Sequence, residues 1–424
     1  MGETSQALKD DDLAILVVGK GYSAYRGYAL EELRDAGVRV YLCDDEELEP
    51  GEANLIERML YVDFERPPEQ EAERLADQIA DTQFDRSLCY IESLLSWTAE
   101  FSQFLGIAFS DPERMRAVRS KYLMRRAFAD AGLATPNNQV GEPAELLATD
   151  LTFPLIIKPE QGHSSIGVEM IGSHEQLTEY FGRDNNAKAD RYVVEQVVRG
   201  VEYSVEGYTH DGKTVATGLT TKFKTEPPFF EELGQFCARG VDVTEAQREL
   251  FTAAVRAVGL DSSIFHFEFM ADNASLTPIE LGARMGGDKI PYLHRRATGR
   301  SLLLEYLGRP VSYPRTSDPG VGIVFFVPRE PGMVPEAFPP AELRAELGES
   351  FIECGPGKVV LTTPDDFFVR LGFAVLTAPT AEEFVARANA KVEMFEQAVG
   401  IGLHRLRFDS LDTSAGFGPV SAHV

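Results

Sequence analysis

Residues 13–21 read LAILVVGKG. Six apolar residues in succession leave a strand no wet face, so both its faces must be covered. An inner strand of a parallel sheet, with helices on either side, meets that condition. YALEELRDAG follows with apolar residues at helical spacing, and VRVYLCDD is a second apolar run ending in acids. Strand, helix and strand in this order are the unit of a doubly wound α/β domain. DRSLCYI (85–91), a helix containing Trp97, and GIAF near residue 108 extend the pattern, so this first α/β domain is placed at residues 1–110. Trp97, Phe101 and Phe104 share helical spacing and are expected in the core. The GKG tripeptide is read as a strand-to-helix turn.

The texture changes at Asp111. DPERMRAVRSKYLMRRAFADAG opens on Asp-Pro, a helix start signal, and stays basic and amphipathic to Gly132. FPLIIKPEQGHSSIGVEMI (153–171) reads as strand, glycine- and serine-rich loop, strand. Further strands turn at Arg199–Gly200 and Asp211–Gly212, and TEAQRELFTAAVRAVGL is a helix. After Arg309–Pro310, VGIVFFV, KVVLTT and the helix AEEFVARANAKVEMFEQAVG form another unit at 311–408. The polar, glycine-rich segment 409–424 is expected to be mobile.

FHFEFMADNASLTPIELGARMGG (265–287) raises a question of charge. Phe265, Phe267 and Phe269 alternate with His266, Glu268 and Met270, and Asp272, Asn273 and Ser275 supply a turn. A hairpin about Ala274 sets Glu268 opposite Glu280, where side chains lie about 5 Å apart and like charges repel. A shared proton, an arginine such as Arg284, or a hard divalent cation would offset that repulsion. A solvated hairpin with its charges in water is the competing reading.

Two lysines and another glutamate pair complete the set. Lys158 ends a strand beside GHSSIG, where backbone N–H groups, hydroxyls and an ammonium suit phosphate oxygens. Lys121 lies on the basic helix, where a solvated charge is the plainer reading. Glu195 and Glu202 flank the link Gln196–Val197–Val198, whose backbone can pair with a base edge while carboxylates accept from ribose hydroxyls or an amine. Lys121, Lys158 with its loop, Glu195-x-x-x-x-Gly200-x-Glu202, and Glu268 followed by Glu280-x-x-x-Arg284 stand in the order of the ATP-grasp superfamily. The resemblance covers roughly residues 111–310. ARMGG, VGIVFFVPREPG and GKVV…RLGFAVLTAPTAEEF are similar to the L-amino acid ligases, the dipeptide synthetases, within it.

The resemblance implies a mixed α/β (α+β) ATP-grasp fold of two lobes, 111–190 and 191–310, behind the amino-terminal α/β domain. It implies that Lys121 and Lys158 contact the α- and β-phosphates of ATP, and that Gly162, Ser164, Ser165 and Gly167 close over them. Glu195 would accept from the adenine amine, Gln196, Val197 and Val198 would meet the base, and Glu202 would hold the ribose. Glu268 and Glu280 would bind one or two Mg²⁺ ions, with Mn²⁺ as a substitute. Arg284 would stabilise the tetrahedral oxyanion, and Gly286 and Gly287 would donate to a substrate carboxylate. Glu92, Glu232 and His266 are candidate substrate contacts, and Lys222 is a candidate phosphate contact beside Lys224. The reaction implied is amide formation between amino acids or related small molecules through an acylphosphate. A peptide or carrier-protein acceptor, and a nucleotide-binding regulator without ligase chemistry, are the alternatives.

Gly282 stands where most of the superfamily has an oxygen-bearing side chain, and Gln235, in FFEELGQFCARG, stands where dipeptide ligases often have histidine. Gln235 is no base near pH 7, so the amine's proton must leave by another route. Small carboxylates and amines are the expected partners. The net charge of −26 argues against nucleic acid or an anionic membrane as the main partner. Four scattered cysteines without a CxxC, and an amino terminus without a signal-peptide pattern, point to the cytoplasm. Many relatives are dimers, and a homodimer is among the expectations.

Overall fold

The computed structural model describes residues 13–185, 187–240, 243–272 and 275–408. The 409–424 segment, the first twelve residues, and Asn273 and Ala274, where the sequence reading puts the hairpin turn, lie outside them. The opening run forms β1 (Ala14–Val18), paired in parallel with β2 (Arg39–Asp44) and β4 (Arg86–Leu88); β3 (Arg58–Tyr61) adds to β2, giving the order β3-β2-β1-β4. Ile15 and Val17 pack on one side with Leu30 and Leu33 of helix Ser23–Asp35, while Leu16 and Val18 pack on the other with Leu75 and Ile79 of helix Pro68–Ile79. Both faces of β1 are covered, as its unbroken apolar sequence requires. Trp97 stacks on buried Phe101 with centroids 4.7 Å apart, but Phe104, in the last turn of helix Leu95–Leu105, is 52% exposed and no core residue.

A second four-stranded sheet forms the smaller lobe. It comprises β5 (Asn138–Gly141), β6 (Leu155–Pro159), β7 (Glu169–Ile171) and β8 (Tyr192–Gln196), antiparallel in the order β5-β8-β6-β7. Leu155, Ile157, Leu177, Tyr180 and Val194 give this lobe a core of its own.

The floor is larger than the sequence suggests. β9 (Val201–His210), β10 (Lys213–Lys224), β11 (Glu232–Ala238), β12 (Ser263–Ala271) and β13 (Leu276–Gly282) are joined by β14 (Gly320–Phe325). β15 (Gly332–Met333) pairs separately with β17 (Val359–Val360), whereas β16 (Ser350–Ile352) and β18 (Gly372–Ala378) extend the floor. The order is β13-β12-β9-β10-β11-β14-β18-β16, eight strands in one sheet. Residues 311–408 therefore continue the ladder at the β11 edge, over a shared core that includes Phe223, Phe236, Val321 and Phe384.

Gly200 joins the lobes with φ +135°, and a Cβ there would lie 2.3 Å from the Ala271 carbonyl oxygen. Gly200→Ala therefore meets backbone strain and a backbone clash together, an expected loss of at least about 2 kcal/mol. Denaturant unfolding of the variant beside wild type checks it; an unchanged midpoint would show that the link relaxes freely.

Candidate active site

The hairpin register is as the sequence implies, with Glu268 facing Glu280, and it shifts by one residue immediately beyond. Pro278 is accommodated because β13 is the sheet edge. The two carboxylates are not solvated surface charges: their side chains are 17% and 27% exposed and line a cleft between the lobes. Protein cations offset them. Lys222 on β10 and His266 bond to Glu268, and Lys121 lies 3.7 Å from Glu280. Arg284, the offered arginine, instead bonds Glu92 at 2.5 Å.

From the smaller lobe comes the phosphate-type loop. Ser120 caps helix Lys121–Asp130, and the Lys121 ammonium donates to the Gly162 carbonyl at 3.0 Å. Ser164 and Ser165 both hold left-handed backbone, φ 57° and 56°, a conformation costing about 1–2 kcal/mol per residue without glycine. Two strained serines presented at a cleft suit ligand contact. Gly167 shares the positive φ, but it is buried and packs on Pro159 and Ala187, so its part is conformational. His163 borders the cleft with Nδ1 3.1 Å from Ser164 Oγ.

Glu195, expected at the adenine amine, is already engaged by two cations. Its oxygens are held by Arg125 (2.7 and 3.2 Å) and by Lys158 (2.6 Å), all nearly sealed from solvent. Burial alone would raise this carboxyl, but Lys158 and Arg125 hold it down at about 2. Burial conversely depresses Lys158. The carboxylate thus holds the Lys158 ammonium, and it borders the cleft together with Gln196, Val197 and Val198. Arg125 also donates to the Pro278 carbonyl at 3.2 Å, tying lobe to floor.

On the floor, Lys222 is surrounded by Glu268, Glu232 at 2.8 Å and Glu202 at 3.7 Å, and Lys224 bonds Glu202 at 2.7 Å. Burial opposes the Lys222 charge, but the glutamates outweigh it and raise the ammonium well above its ordinary value. His266 sits between Glu206 at 2.6 Å and Glu268 at 3.0 Å. Burial would favour its neutral ring, yet Glu206 and Glu268 push it up to about 9, making it an imidazolium with both nitrogens engaged.

Beyond Arg284 the cleft ends in Gln235 and Glu232, joined by Asp288 and Arg370, which carry no local sign in the sequence. Gln235 donates from Nε2 to Glu232 (2.9 Å) and Asp288 (2.8 Å). Reversing its amide would aim oxygen at two carboxylates, so Oε1 must face away, and this buried atom has no donor among the described residues. Asp288 in turn takes Arg370 at 2.6 and 3.3 Å, and Arg370 stacks over Phe325 and Phe368. Gly286 needs correction. Its N–H already donates to Glu206 at 3.1 Å and its carbonyl accepts from Arg26 at 2.6 Å, so no N–H remains for a substrate carboxylate. Gly287 borders the cleft with open space where a Cβ would stand. Glu92 reaches the site through Arg284. No side chain at Gly282 obstructs the space between them.

No three-residue metal cluster of His, Cys, Asp or Glu occurs among the described residues. Two opposed carboxylates suit a hard cation that completes its shell with phosphate oxygens and water, as magnesium usually does. No helix of the described residues is long and apolar enough to cross a membrane.

The family model for the ATP-grasp domain matches residues 151–292. Dapdiamide A synthase of Enterobacter agglomerans is 29% identical over 50% of this chain and 52% of its own. Alanine–anticapsin ligase of Bacillus subtilis is 25% identical over 53% of each chain. The chain thus spans about half the length of these curated relatives. The crystal structure of an L-amino acid ligase from Bacillus licheniformis shares the fold with a TM-score of 0.75, at 21% identity over 95% of this chain and 100% of that one.

Proposed function

We propose that this chain, whose residues 151–292 form an ATP-grasp domain, is an ATP-dependent carboxylate–amine ligase that joins amino acids or related small molecules. The observation that carries the reading is the meeting of Lys121, Lys158, Glu268, Glu280 and Arg284 from two lobes around one cleft. Amide-forming relatives such as dapdiamide A synthase support it.

A substrate carboxylate takes the γ-phosphoryl group of ATP, giving an acylphosphate and ADP; an amine then displaces phosphate. Lys121 and Lys158 place positive charge along the phosphate chain, and the Gly162–Gly167 loop covers it. The Gln196–Val198 backbone meets the base and Glu202 the ribose. Glu268 and Glu280 would hold Mg²⁺, with Mn²⁺ expected to substitute, and that ion neutralises phosphate charge when bound. Arg284 faces the oxyanion that forms when the amine adds. Preorganised charges of this kind supply most of the rate enhancement such sites provide. Gln235 Oε1, buried and lacking a donor, favours a substrate that brings an N–H to that end of the cleft.

The test is release of ADP and phosphate from MgATP over a panel of amino-acid pairs, with mass detection of products. Release requiring both an acid and an amine, with an amide formed, is expected, and Glu280→Gln should lower it by about 10²-fold or more. Release indifferent to Glu280→Gln would sink the cation assignment.

A further inference from the structure

The second chemical step needs a base, and Gln235 at the far end of the cleft cannot take a proton. The other titratable groups at the cleft are committed. His266 is held on both nitrogens, by Glu206 and Glu268. Glu232 is bound to Lys222, Asp288 to Arg370 and Gln235, and Glu92 to Arg284. Glu202 takes Lys224, and Glu268 and Glu280 are the proposed cation ligands.

His163 differs from all of them. It borders the cleft on the covering loop, and its partner Ser164 engages only Nδ1. No described residue bonds Nε2. The charged groups facing the ring are Arg284 and Glu92 from beyond the floor hairpin, Lys121 from helix Lys121–Asp130 and Glu280 from β13. The residue is exposed at the cleft mouth; partial desolvation there first, then the Arg284 charge, lowers the imidazolium's pKa below its ordinary value, so the ring near pH 7 is largely a neutral acceptor. The strained backbone of Ser164 and Ser165 fixes the turn that presents it.

We propose that His163 is the general base of the amine step. Resting on the ligase reading, the assignment works as follows. Nε2 takes one proton from the substrate ammonium as the freed nitrogen pair forms the C–N bond. The C–O bond to phosphate breaks, phosphate leaves with that electron pair and takes the second proton from the nitrogen as hydrogen phosphate, and the imidazolium passes its proton to solvent. The acid, the amine and ATP thus give amide, ADP, phosphate and one released proton. The first step, phosphoryl transfer, does not use His163.

Hydroxylamine separates the steps, because it is largely neutral at pH 7 and traps an acylphosphate as the hydroxamate without a base. His163→Asn is expected to lower amide formation from the amino-acid pair that wild type condenses by about 10²-fold more than it lowers hydroxamate formation. The deficit should shrink as pH rises toward the amine's own pKa. A matched thermal unfolding midpoint would exclude misfolding. Equal loss of hydroxamate and amide would overturn the proposal, assigning His163 to the phosphates; so would a deficit that ignores pH. Wild type that makes neither product from any acid tested would instead overturn the ligase reading beneath it.

Discussion

Arg284→Ala is expected to lower amide formation by about 10²–10³-fold, the usual cost of removing one oriented oxyanion donor. The guanidinium is fixed by Glu92 at 2.5 Å and donates to the Met285 carbonyl at 2.8 Å, so its charge stands in place before reaction. Glu92 holds it charged against burial, with its pKa raised further above the ordinary value. A group that acts on the transition state lowers kcat and kcat/KM together. Steady-state kinetics on the alanine and lysine variants check this. A large rise in KM with kcat intact would reassign Arg284 to ground-state binding. Lysine should recover only part, since it cannot keep both the Glu92 and the Met285 bonds in one planar fork.

Arg125→Met is expected to cost about 3–5 kcal/mol, the loss seen when one partner of a buried ion pair is removed. Arg125 and Glu195 are 1% and 5% exposed, and Lys158 alone would then neutralise the carboxylate. The same pair sets an acid limit. The Glu195 carboxyl, lowered from 4.5 to about 2, contributes stability that is fully present above its unfolded value. That contribution is lost as pH falls from about 4.5 toward 2. Chemical unfolding at pH 7 and across the acid range, for wild type and variant, measures both effects. A variant with wild-type stability and acid profile would show that Arg125 is held by packing alone. Because Arg125 also grips the Pro278 carbonyl, ATP affinity should fall with stability.

Much of the cleft was legible because its residues lie in short stretches with local chemistry. A strand end before a Gly/Ser loop marks Lys158, and symmetric spacing marks Glu268 and Glu280. Arg125 was within reach too, one helical turn beyond Lys121 on the same face. Asp288 and Arg370 were not. Arg370 is 82 residues from its partner, in FFVRLG, and carries no local sign of a role; only the pairing of β14 and β18 onto the floor brings it to Gln235 and Glu232. The Gly286 error has the same origin. A glycine pair advertises free N–H groups, and the acceptor that occupies one, Glu206, is 80 residues earlier on β9. The boundary near residue 310 follows a real break in pattern, yet a sheet can continue across a connection that sequence periodicity cannot see.

That continuity bears on how the chain is made. Synthesis runs from the amino end, so β9 to β13 leave the ribosome while β14 and β18 are still unmade. In that interval the outer edge of β11 is an open ladder above Leu233, Phe236 and Cys237, side chains buried in the finished protein. Open edges of this kind template association between nascent chains. A ribosome pausing between residues 240 and 320 prolongs the exposure. Release and pairing of β14 end it, and the chain that follows, before β18 covers β14 in turn, brings Arg370 to Asp288.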